Sequence, residues 1–194
     1  MRKTLLASLL ALSVASVAQA TPIAYGATLL GSNENPANGS PGTGTALVFY
    51  DPDLHTLQVN AVFAGLLGIT SASHIHCCAG PGVNAPVATQ LPSFPGFPLG
   101  VSAGVYNSVA FDLTLASSWS AGFLGANGGT PAGAEAAFAA ALANQLTYFN
   151  IHTMVPPTGG VGFPGGEIRG QLAAVPEPAT LTLLGLGLSG LAMR

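Results

Sequence analysis

The chain has 194 residues, 49% of them hydrophobic and only 6% charged, with a formal net charge of −3. Between residues 21 and 174, Arg169 is the single Lys or Arg, set against Glu34, Asp51, Asp53, Asp112, Glu135 and Glu167. One cation cannot neutralise a phosphate backbone, so no nucleic-acid partner is expected, and attraction to anionic lipid goes with it.

The chain opens on Met1-Arg2-Lys3, runs through the apolar stretch Leu5–Leu12 and reaches Ala18-Gln19-Ala20. A basic start, a short apolar run and a small-x-small end read as a secretory signal peptide over residues 1–20. The apolar run is too short to span a bilayer. The first strand signal is "GTGTALVFYD", with Thr, Val, Phe and Tyr at strand density, closed by an Asp-Pro turn at Asp51-Pro52. In "LHTLQVNAVFAGL", Leu57, Val59, Ala61 and Phe63 fall on one face, and Thr56, Gln58 and Asn60 on the other. This period of two predicts a half-buried antiparallel strand, the second arm of a hairpin.

"SASHIHC" is expected to be a third strand, ended by Ala79-Gly80-Pro81-Gly82. Residues 86–104 are proline-rich and read as a long loop, and "NSVAFDLTL", residues 107–115, as a further strand. "AGAEAAFAAALANQL" is alanine-rich and predicts one helix from Pro131 to about Asn144. "TYFNIHT" and "GEIRGQL" are late strands joined by a Gly/Pro loop. Short strands with Gly/Pro turns and a single helix point to an all-β domain, an antiparallel Greek-key β-sandwich or barrel with one inserted Ala-rich helix. The chain ends with Pro176-Glu177-Pro178, the apolar "LTLLGLGLSGLAM" and Arg194.

"VPEPATLTLLGLGLSGLAMR" resembles the PEP-CTERM sorting signal of Gram-negative bacteria, with Pro176, Glu177 and Pro178 as its motif. That resemblance implies processing by a membrane exosortase and export alongside exopolysaccharide. The family usually ends in several arginines, whereas here Arg194 stands alone. "LLGSNENP", the hairpin, "ASHIHCCAGPGVNAPVA" and "YFNIHTMVPP…PGGEIRGQL" occur in this order and resemble the CHRD domain, named from chordin. This implies an all-β extracellular domain without an established enzyme activity. The expected organisation is a signal peptide at 1–20, a CHRD domain at 21–174 and a sorting tail at 175–194, whose short apolar segment is the only membrane contact. The expected location is the cell envelope, the cell surface or the extracellular matrix.

Strand alternation sends His74 and His76 to one face and Ile75 to the core. By the same rule Tyr148, Asn150 and His152 oppose Phe149 and Ile151, and Glu167, Arg169 and Gln171 oppose Ile168 and Leu172. If these strands are neighbours, His74, His76, His152, Asn150, Glu167 and Arg169 form one polar patch on the outer face. Two readings of the patch stand. In one, His74, His76 and His152 bind zinc or copper, with Cys77, Cys78 or Glu167 able to add a ligand, and with redox chemistry as an extension. In the other, the imidazoles hold loop backbone and Arg169 pairs with Glu167 or Asp112. The His-x-His strand is similar to the copper strand of Cu,Zn superoxide dismutase, but the residues of a zinc half are absent and no dismutase is expected.

Adjacent Cys77 and Cys78 leave a vicinal disulfide, free thiols, a covalent dimer or a metal ligand open; export favours oxidation. No nucleophile elbow, paired carboxylates or phosphate loop appears, so no catalytic residue is expected. The sequence therefore reads as a non-catalytic binding or structural module, with exopolysaccharide or another envelope protein as its partner and metal binding as the alternative. Polysaccharide recognition would use Trp119, Tyr106 and Phe94, if these are exposed.

Overall fold

A computed structural model describes residues 22–176. The expected signal peptide, Glu177, Pro178 and the rest of the sorting tail lie outside the described residues; Pro176 is exposed at the boundary. Among the described residues, no helix is long and apolar enough to cross a membrane.

The chain forms β1 (Ile23–Leu30), β2 (Thr43–Asp51), β3 (Thr56–Ala64), β4 (Ile69–Cys77), β5 (Gly104–Asn107), β6 (Phe111–Asp112), α1 (Ala121–Ala126), α2 (Pro131–Ala143), β7 (Thr147–Met154), β8 (Ile168–Gln171) and β9 (Ala173–Ala174). The strands make one antiparallel sheet in the order β4-β7-β8-β1-β2-β3-β5, with β6 added to β3 and β9 to β1. In that order β3 and β4 lie five strand spacings apart, about 24 Å in a flat sheet. Ala64 and Ile69 are nevertheless joined by only four residues, which reach at most about 17 Å. The sheet must therefore curl until its ends approach, giving the barrel-like architecture expected. Gly65, at φ 71°, makes the turn between them.

Residues 86–102 fill the seam. Ala88 N–H donates to Ile75 O, Phe94 N–H to Ser73 O and Gly100 N–H to Thr70 O, while Thr70 N–H donates to Val101 O and Leu66 N–H to Ser102 O. The loop thus satisfies the free edge of β4, which would otherwise present unpaired backbone groups.

Inside the curl lies one hydrophobic core. Leu57, Val59, Ala61 and Phe63 are buried from β3, Phe149 and Ile151 from β7, Ile75 from β4 and Ile168 from β8, as the alternation predicts, and Leu172 is buried between β8 and β9. Phe94 stacks on Phe111 and Phe149, and Trp119 meets Phe123 and Phe138. Trp119, Tyr106 and Phe94 are core residues at 4%, 4% and 2% exposure, which removes them as a sugar platform.

Three expectations change. Of the strand expected over 107–115, only Asn107, which ends β5, and Phe111–Asp112, which form β6, pair in the sheet; between them the Ser108 hydroxyl accepts the Val59 N–H at 2.8 Å and interrupts the ladder. A second helix, α1, accompanies the alanine-rich one; its start is capped by Ser120 Oγ, which accepts Phe123 N–H. β1 forms as an eight-residue strand between β2 and β8 that the sequence pattern did not single out. The alanine-rich helix begins as read, with Thr130 as cap and Pro131 in its first turn.

Candidate functional site

β4 and β7 pair so that His74 lies opposite Asn150, His76 opposite Tyr148, and Ala72 opposite His152. The three imidazoles therefore share one face of two neighbouring strands, and β8 places Arg169 beside Asn150 on the same face. Ring centroids are 5.2 Å apart for His74 and His152, 5.6 Å for His76 and His152, and 5.9 Å for His74 and His76. One ring nitrogen from each lies within 4.8 Å of the others.

The patch is not the open surface the alternation suggests. His74 and His76 are buried, at 5% and 8% exposure, and His152 is half-buried. The covering comes from loops. Nε2 of His74 donates to Pro92 O at 2.6 Å, Nδ1 of His76 to Ala85 O at 2.8 Å, and Nδ1 of His152 to Pro164 O at 2.9 Å. A carbonyl only accepts, so each of these nitrogens carries the proton. Burial lowers the pKa of His74 and of His76 to about 4 and lowers that of His152 too, so the rings are neutral. The opposite nitrogens then carry lone pairs. Nδ1 of His74 has no partner among the described residues, and Nε2 of His76 faces Nε2 of His152 at 3.4 Å.

Two expected members behave differently. Glu167 leaves the patch. Its carboxylate turns to the end of the sheet and accepts Ser40 Oγ–H at 2.6 Å, Leu67 N–H at 2.6 Å, Gly68 N–H at 3.1 Å and Thr153 Oγ1–H at 2.7 Å. It is fully buried there and committed to loop backbone. Arg169 pairs with neither Glu167 nor Asp112. Its Nε donates to Asn33 O and Nη1 to Asn84 Oδ1, with the Glu34 carboxylate 3.8 Å away. Asp112 instead caps its own turn through Thr114.

Tyr148 links Arg169 to the histidines. Its ring lies 4.7 Å from that of His76 and nearly parallel to it, with the Arg169 guanidinium carbon 4.6 Å from its centroid. Cys77 and Cys78 form a vicinal disulfide, so neither offers a thiolate. His55 is exposed, as its place beside the turn suggests, and bonds Glu135 at 2.9 Å.

The sequence reading missed Glu34 and Asn84 as neighbours of the site, and it placed Tyr148 on the right face without assigning it to the patch. One signal pointed to Glu34: a lone cation in a nearly uncharged domain needs a carboxylate, and "NENP" supplies one ahead of β2.

No curated protein and no solved structure matches the chain. The CHRD domain model matches residues 25–172. The PEP-CTERM protein-sorting motif matches residues 174–194 and implies processing by an exosortase and export to the cell envelope or surface. The chain belongs to the CHRD domain family.

Proposed function

We propose that the exported domain, taken as residues 21–174, is a metal-binding module of the envelope or its surrounding matrix, with His74, His76 and His152 holding one zinc or copper ion. The observation that carries this reading is the pair of unprotonated ring nitrogens 3.4 Å apart on buried His76 and half-buried His152. Two bare acceptors at that distance repel unless a cation lies between them. Two ligands about 2.05 Å from one ion in tetrahedral geometry lie about 3.3 Å apart. The loop carbonyls at Pro92, Ala85 and Pro164 supply the outer hydrogen bonds that fix the tautomer of metal-binding imidazoles. The set spans 4.8 Å, so closing it to the tetrahedral separation of about 3.3 Å needs His74 to move inward by about 1.5 Å.

Three neutral nitrogens suit zinc and copper. With Glu167 and both cysteines committed elsewhere, a fourth ligand would come from outside the described residues. The reading is of a binding module and assigns no catalytic residue. Metal analysis of the protein purified without added chelator tests it. The expected result is one zinc or copper per chain, lost in His76→Ala. A protein that stays folded and metal-free after zinc and copper are each supplied would sink the proposal and leave the imidazoles as loop fasteners.

A further inference from the structure

Given the metal-binding reading above, the donors and charges around the histidines decide between zinc and the two states of copper. Nε2 of His76 and Nε2 of His152 face each other at 3.4 Å. The whole set reaches 4.8 Å, so His74 is its distant member. Among the described residues no other histidine, cysteine or carboxylate joins the three. Glu167 is committed to four hydrogen bonds at the end of the sheet, and Cys77 and Cys78 are bonded to each other. Asn84 Oδ1 accepts from Arg169, and the Tyr148 hydroxyl accepts the Ala85 N–H. The protein thus offers a close pair of nitrogens and a more distant third.

The charges point the same way. The Arg169 guanidinium stacks on Tyr148, which stacks in turn on His76. Glu34 is the carboxylate on that side, and it lies 3.8 Å from Nε of Arg169. These two charges offset each other and leave no anion over for a metal. His74 and His76 are 5% and 8% exposed. The cost of taking an ion out of water rises with the square of its charge. A divalent ion among neutral ligands therefore meets about four times the desolvation cost of a monovalent one.

Zinc ordinarily fills four positions, and cupric copper favours a tetragonal set. Either would need His74 drawn fully in and a further ligand besides. Cuprous copper is closed-shell, carries a single charge and accepts two or three ligands. Two nitrogens about 2.0 Å from one ion lie about 3.5 Å apart in a trigonal plane. The 3.4 Å gap fits that plane as well as a tetrahedron, so the ligand count and the charge decide. We propose that the site takes copper in its monovalent state, held by Nε2 of His76 and Nε2 of His152, with Nδ1 of His74 as a third and weaker ligand. The ion enters beside His152, the half-buried and most open ring of the three.

The test is a competition on the full chain, stripped of metal and kept free of oxygen. Cuprous ion, held reduced by ascorbate, is shared with the chromophoric chelator bicinchoninate. Zinc and cupric ion are titrated separately against their own indicators. One cuprous ion per chain is expected, bound more tightly than cupric ion and at least about a hundredfold more tightly than zinc. X-ray absorption of the copper-loaded chain should show two or three nitrogen neighbours and no sulfur. His76→Gln should abolish cuprous binding, and His74→Gln should weaken it by about tenfold. Zinc or cupric ion held as tightly as cuprous ion, four neighbours around cuprous copper, or an equal loss in the two variants overturns this inference and leaves the metal-binding reading standing. A folded chain that takes up none of the three ions overturns both.

Discussion

Glu167 shows how much a single side chain can carry in a domain with so few charges. Fully buried, it takes hydrogen bonds from two hydroxyls and two backbone amides, and it ties the Ser40 loop and the turn before β4 to β7. Glu167→Ala strands all four donors in a dry site and should cost about 3–5 kcal/mol. Glu167→Gln keeps one oxygen but sets an amide N–H against the Gly68 N–H, so a smaller loss of about 1–2 kcal/mol is expected. Urea unfolding of both variants checks the order; a loss under about 1 kcal/mol for the alanine variant would contradict the account. The sequence placed Glu167 on the face of Arg169 because alternation was extended one residue beyond the strand. β8 begins at Ile168, and a residue outside a strand is free of its alternation. The true partner of Arg169, Glu34, lies 135 positions earlier, at a distance no local pattern encodes.

At the scale of elements, the histidine site owes its burial to the segment that covers β4. Thr89 Oγ1 accepts the Ile75 N–H at 3.0 Å, between His74 and His76, and Thr89 is itself 1% exposed. Thr89→Val keeps the shape and deletes the acceptor, leaving a buried amide bare at a cost of about 1–3 kcal/mol. Faster amide exchange at Ile75, with a lowered urea midpoint, is expected; wild-type exchange would show that the loop is held by its other bonds. β3 was legible because its apolar residues alternate without interruption. The three imidazoles were legible as a face for the same reason, which is why their clustering follows from the pattern once β4 and β7 pair. Their covering was not legible. It depends on where a proline-rich loop docks, and the docking is set by hydrogen bonds to β4 rather than by periodicity. α1 escaped notice because Gly122 and Gly125 lower its helix propensity, and the Ser120 cap is a signal too short to stand alone.

Over the whole molecule, buried titratable groups of opposite character set the response to acid. Burial holds the folded pKa of His74 and of His76 at about 4, against 6.5 for a free imidazole. Between those values the unfolded chain binds more protons than the folded one, so the stability these groups contribute is complete above pH 6.5 and is lost as the pH falls toward 4. Glu34 has the opposite sign. Burial raises its carboxyl from 4.5 to about 7, against the pull of Arg169. The folded state therefore holds the extra proton in that window, and the Glu34 contribution is lost as the pH rises through about 7. From pH 6.5 to 4.5, two histidines lose against one carboxyl, a net difference of one proton that the lowered pKa of His152 increases. One proton corresponds to about 1.4 kcal/mol per pH unit. The metal-free domain should be most stable near neutral pH and weaken on both sides, more steeply toward acid. Urea midpoints across this range measure the slope. His74→Gln and His76→Gln, which cannot take the proton, should each flatten the acid side, and Glu34→Gln should flatten the alkaline side while steepening the acid one. An acid slope unchanged in both histidine variants would mean that the imidazoles are already hydrated or charged in the fold, and the case for three neutral donors at one ion would fail with it.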